Sequence, residues 1–121
     1  MVLVDTSVWV LHFRKANQRL IHLLENNEVL THEFVVGELA CGKLKNRKEI
    51  LSLFHRLPKT LAVSFSELMH FLERKGIAGS GIGFVGAHLL ASAQLTHVPI
   101  WTLDRSLELI SSKLFLKYIP E

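Results

Sequence analysis

Val2-Leu3-Val4 is an uninterrupted apolar run that stops at Asp5. A short run without polar alternation belongs to a strand covered on both faces, which means a parallel strand flanked by helices. Similar short runs recur at Glu28-Val29-Leu30-Thr31, Thr60-Leu61-Ala62-Val63, Pro99-Ile100-Trp101-Thr102 and Phe115 to Ile119. Helical spacing fills the intervals. Asp5-Thr6-Ser7 supplies caps for a helix through about Phe13, and Asn17 caps a second with Leu20, Ile21, Leu23 and Leu24 inward. His32 to Cys41 reads as helix with Val35, Leu39 and Val36 inward and Cys41 as a small core residue. Asn46 to Leu57 is helical until Pro58 stops it. Ser64 and Glu67 form a capping box for a helix to about Lys75. A glycine-rich loop, Gly76 to Gly83, precedes an apolar helix from Phe84 to Thr96, and Ser106 to Ser111 is a last short helix. The alternation predicts an α/β fold: one domain over residues 1–121, with a mostly parallel central sheet flanked by helices.

Composition sets the outer limits. A chain of 121 residues, 49% of them hydrophobic, holds one domain with a core of its own. The net charge of +3 and isoelectric point near 9.3 are compatible with an anionic partner such as RNA. Cys41 is the only cysteine, so no internal disulfide forms, which fits a reducing compartment. The apolar start carries Asp5 and has no basic lead-in, so a signal peptide is not expected. No uncharged run approaches the ~20 residues that span a bilayer. These features together point to a cytoplasmic protein without a membrane segment.

In open parallel sheets ligands sit at the carboxyl ends of the strands. The chain has two aspartates, and each follows a strand: Asp5 after Val4, Asp104 after the Pro99–Thr102 run. Either one alone is equally well explained as a helix cap. Glu38, within EFVVGELACG, is a third acid, and Gly37 beside it implies close approach by another element. Carboxylates gathered at one sheet edge repel and call for a hard divalent cation with oxygen ligands, Mg2+ or Mn2+. The corresponding chemistry is phosphodiester hydrolysis. The seven histidines lack metal-binding spacing and read as surface or half-buried residues.

The stretches VLVDTSVWV (residues 2–10), VVGELACG (35–42), GSGIGFVGAHLLASA (79–93) and PIWTLDRSL (99–107) together resemble PIN-domain ribonucleases of the VapC type, the toxin half of bacterial toxin–antitoxin pairs. That family has four acids. Asp5 matches the first, Glu38 the second and Asp104 the last, while the third falls on Gly86. Thr6, Ser7 and Thr102 match the polar positions flanking the acids. The resemblance implies cleavage of single-stranded RNA assisted by Mg2+ or Mn2+, with specific transfer RNAs as targets of some relatives. It also implies a homodimer and neutralisation by a cognate antitoxin.

Gly86 has two readings. Gly81, Gly83 and Gly86 spell G-x-G-x-x-G, the pyrophosphate-binding turn of dinucleotide enzymes, and Asp104 lies at a suitable distance to meet a ribose. That turn must leave a buried strand, whereas Leu68, Phe71 and Leu72 ahead of it have helical spacing. The other reading is an aspartate position vacated by glycine, an inactivating substitution with a naturally degenerate copy as the rival, leaving an impaired nuclease or a non-catalytic antitoxin- or RNA-binding module. Around the acids, Arg105 is the favoured phosphate contact, and Lys43, Lys45, Arg47 and Lys48 read as a solvated charged loop. Trp9 and Phe13 read as core, with a groove for an antitoxin helix as the alternative.

Overall fold

The computed structural model describes residues 1–120. Three parallel strands, β1 (Val2–Val4), β2 (Val29–Leu30) and β3 (Ile100–Trp101), lie in the order β2-β1-β3. Val2 pairs with Val29, Leu3 with both Leu30 and Ile100, and Val4 with Trp101. β1 is buried along its whole length, as an apolar run with no polar alternation requires.

Seven helices surround the sheet among the described residues: α1 (Thr6–Arg14), α2 (Gln18–Glu25), α3 (Glu33–Cys41), α4 (Arg47–Arg56), α5 (Phe65–Lys75), α6 (Phe84–Thr96) and α7 (Arg105–Lys113). Their ends follow local chemistry. Asn17 accepts from the Leu20 amide at the start of α2. The Ser64–Glu67 capping box opens α5, and Gly76 in the left-handed region closes it. α6 is buried continuously from Ala87 to Ala93, almost all of it apolar, with His88 and Ser92 as its buried polar residues. Trp9 packs edge-on to Phe54 at 4.6 Å between ring centroids, tying α1 to α4 in the core. No helix among the described residues is long and apolar enough to cross a membrane.

Several sequence expectations need correction. Thr60–Val63 is not a strand. The sheet edge there is one bridge from Thr31 to Lys59, after which the Leu61 amide turns to the Thr96 hydroxyl. Phe115–Ile119 likewise contributes one bridge, Ile100 to Lys117. Phe115 has φ +59° and is 96% exposed, so the extended run cannot begin there. Cys41 is exposed rather than in the core. Gly37 faces open space, with nothing within 4 Å of where a Cβ would be, so no element presses on it. His32 and His88 are buried. His32 is the cap of α3: its Nδ1 accepts from the Phe34 amide at 2.9 Å, which leaves Nε2 to donate to the Ser92 hydroxyl at 3.1 Å.

Candidate active site

Asp5 ends β1 and precedes α1, yet its side chain does not cap that helix. The residue is only 7% exposed, and a carboxylate so buried needs donors. It has two: Ser7 Oγ donates to Oδ2 at 2.8 Å and Thr102 Oγ1 donates to the same oxygen at 2.7 Å. Each hydroxyl also accepts a backbone amide. Leu103 N–H donates to Ser7 at 2.9 Å and Asp104 N–H donates to Thr102 at 3.0 Å. The segment after β3 is thereby stitched to the start of α1, and this fixes Asp104 beside Asp5.

Asp104 caps α7, its Oδ1 accepting from the Leu107 amide at 2.9 Å. The bland reading of this aspartate is therefore correct in part, but the cap uses one oxygen only. Glu38 projects from the exposed side of α3. Thr6 Oγ1 donates to its Oε1 at 2.6 Å, so the first helical residue after Asp5 holds the third acid. In all three acids the second carboxylate oxygen takes no part in these bonds.

Asp5, Glu38 and Asp104 line one cleft of about 460 Å³, together with Thr6, Ser7, Ile82, Gly83, Phe84, Val85, Gly86 and Leu107. The acids are spread around the cleft wall. Among the described residues no three His, Cys, Asp or Glu side chains come close enough to form a ready-made metal cage. The donor set fits a hard cation that keeps most of its waters and takes only one or two carboxylates, the usual habit of Mg2+.

The model of the PIN domain matches residues 2–113. Over 109 residues the chain is 39% identical to Ribonuclease VapC32 of Mycobacterium tuberculosis, in strain CDC 1551 / Oshkosh and in strain H37Rv alike, covering 89% of this chain and 88% of each relative. The chain is a PIN domain of the VapC type. Its fold also matches the crystal structure of FitAcB from Neisseria gonorrhoeae with a TM-score of 0.60 and 17% identity, covering 93% of this chain and 94% of that one.

In this PIN domain Gly86 sits in the first turn of α6 and on the cleft wall. A Cβ there would meet Ile82 Cγ1 at 3.4 Å and the two Leu107 methyls at 3.6 and 3.7 Å, which are ordinary contacts. Neither space nor backbone angle demands glycine. The dinucleotide reading fails on the same segment: α5 leads into the loop that holds Gly81 and Gly83, and no strand launches the turn.

Arg105 is exposed at the start of α7 and is not among the cleft residues. The basic residues after α3 are exposed, as a solvated loop would be. Lys43 and Lys45 line a groove of about 750 Å³ that shares Thr6 and Glu38 with the acid cleft. Arg14 borders the same groove, whose apolar lining is Val10, Phe13, Leu39, Leu44 and Ile50. Trp9 is buried, whereas Phe13 is part of that groove. Sequence reasoning missed Phe84, an exposed aromatic on the cleft lip. Its only signal was position, two residues before Gly86 in an otherwise apolar helix.

Proposed function

We propose that this PIN domain is the toxin of a toxin–antitoxin pair, an Mg2+- or Mn2+-dependent endoribonuclease acting on single-stranded RNA, transfer RNA included, and impaired by Gly86. The observation that carries the reading is the sharing of one cleft by Asp5, Glu38, Asp104 and Gly86, the positions that the sequence resemblance assigns to the family's four acids. Asp5, Glu38 and Asp104 are the residues that would hold the ion, one or two of them directly and the rest through its waters. When bound, a divalent ion lowers the pKa of a water and offsets charge on the scissile phosphate. Ser7 and Thr102 keep the Asp5 carboxylate fixed through Oδ2. Thr6 holds Glu38 toward the cleft through Oε1. Gly86 contributes no charge, so this wall of the site supplies no carboxylate to a divalent ion.

Relatives and geometry also support an antitoxin partner. The groove beside the acids has an apolar floor and a basic rim of Arg14, Lys43 and Lys45, which suits the apolar face of an amphipathic helix followed by acidic residues. Arg105, exposed next to Asp104, is assigned to RNA phosphate. A homodimer is proposed on the family resemblance alone. Gly86 also favours a second reading, a PIN domain that retains its partners and no longer cuts.

The test is cleavage of a mixed single-stranded RNA and tRNA panel by this chain and by Gly86→Asp. The variant is expected to cut with Mg2+ or Mn2+, and to stop on chelation or on adding Asp5→Asn. Cleavage that survives Asp5→Asn contradicts the assignment, and failure of Gly86→Asp to cut while antitoxin binding persists supports the second reading.

A further inference from the structure

Of the large apolar side chains left exposed among the described residues, one lines the acid cleft. Phe84 is the first residue of α6, lines the acid cleft and is 57% exposed. It is nonetheless held in place. The buried His88 one turn on meets it edge-to-face, with 4.7 Å between centroids and 79° between planes. Phe34 on α3 braces His88 in turn at 4.7 Å and 72°, and His32 braces Phe34 at 5.1 Å. The chain of rings runs from the buried cap of α3 to the cleft lip and ends in an aromatic surface facing solvent. Burial keeps His88 below the ordinary histidine pKa, so the ring beneath Phe84 is neutral and supplies packing rather than charge near pH 7.

We propose that Phe84 is a stacking platform for an unpaired RNA base next to the phosphate held in the acid cleft, an assignment that rests on the RNA-cleaving reading above. A phosphodiester in the cleft carries a base on either side. In single-stranded RNA those bases are recognised largely by stacking on aromatic side chains. A ring already fixed by His88 loses little side-chain freedom on binding. The occupant is therefore a base of the substrate strand. Selectivity should follow stacking strength, with adenine favoured over uracil.

The experiment is anisotropy binding of labelled oligoadenine and oligouridine RNA to the full chain, to Phe84→Leu and to Phe84→Trp, repeated with abasic sites stepped along the strand. Phe84→Leu keeps an apolar side chain of similar burial and removes the π face. It is expected to weaken oligoadenine binding by roughly five- to hundredfold, and Phe84→Trp to preserve it. One abasic position should weaken the parent and leave Phe84→Leu unaffected. Equal binding by Phe84→Leu and parent overturns the platform while leaving the RNA reading intact. Loss in Phe84→Leu that adds to the abasic loss at every position also overturns it. If neither the parent nor Gly86→Asp binds or cuts single-stranded RNA, the RNA reading fails and the platform fails with it.

Discussion

Thr102→Val removes one hydroxyl and keeps the side-chain shape, so it isolates the bonds that join Asp5 to the segment carrying Asp104. Three contacts are lost: the 2.7 Å bond donated to Asp5 Oδ2, the 3.0 Å bond accepted from the Asp104 amide, and a long 3.4 Å contact with Ser7 Oγ that adds little. Thr102 is 4% exposed and Asp5 7% exposed, so water has little access to replace the first. A hydrogen bond to a charged group contributes about 1.5–3 kcal/mol. The Asp104 amide is less costly to orphan, because Asp104 itself is exposed. Its loss adds at most ~1 kcal/mol, for an expected total of about 2–4 kcal/mol. Thr102→Ser keeps the hydroxyl and is expected to lose about 1 kcal/mol or less, from the missing methyl. Urea unfolding with an unchanged denaturant slope reads both values. In the Gly86→Asp background the same Thr102→Val change should also depress RNA cleavage, since Asp104 loses its tether. A Thr102→Val loss below about 0.5 kcal/mol, or one equal to that of Thr102→Ser, would refute the claim that this hydroxyl holds the site together.

Other outcomes follow from the same structure. Without metal, Gly86→Asp is expected to stay within about 1 kcal/mol of the parent, because better helix propensity and an acid in the first turn of α6 oppose repulsion from Asp5 and Glu38; a loss above ~2 kcal/mol in a thermal or urea melt would show that the side chain does not fit. Burial pushes His12, His32 and His88 below the ordinary histidine value of 6.5. The unfolded chain therefore binds more protons than the folded one below that pH, so stability is complete above pH 6.5 and falls as pH drops through it. His32→Asn retains a cap acceptor and removes one proton site, and an unchanged pH slope in that variant would contradict the role given to His32. Cys41, being exposed, should react with a thiol reagent in the native chain; reaction only on unfolding would place it in the core after all.

How far the sequence could be read depended on the range of the interaction. β1 and Asp5, the Ser64–Glu67 capping box and the apolar α6 are local patterns, and each stands where its residues indicate. The family likeness supplied the order of the acids, which no local pattern carries. What escaped depends on neighbours far away in the chain. Phe115 to Ile119 is apolar enough for a strand, but the left-handed Phe115 and an open sheet edge leave only a bridge. Cys41 and Gly37 look buried because their flanks are apolar, yet both lie on the outward side of α3. His32 pairs with Ser92 across 60 positions, and Ser7 meets Leu103 across 96; nothing in the local spacing marks those partners. Phe84 was legible as a helix residue and illegible as a cleft residue, since only the packing of α6 beside Asp5 gives it that place.

On the function proposed above, the acid cleft binds a divalent ion and Gly86 is its vacated fourth position. Titrating Mn2+ into the parent chain and into Gly86→Asp, by calorimetry or by the electron paramagnetic resonance signal of free Mn2+, tests it most directly. Added carboxylate charge at the site should tighten binding by roughly tenfold or more, and Asp5→Asn in the same background should abolish the gain. Identical isotherms for parent and variant, or a gain that survives Asp5→Asn, would contradict the claim.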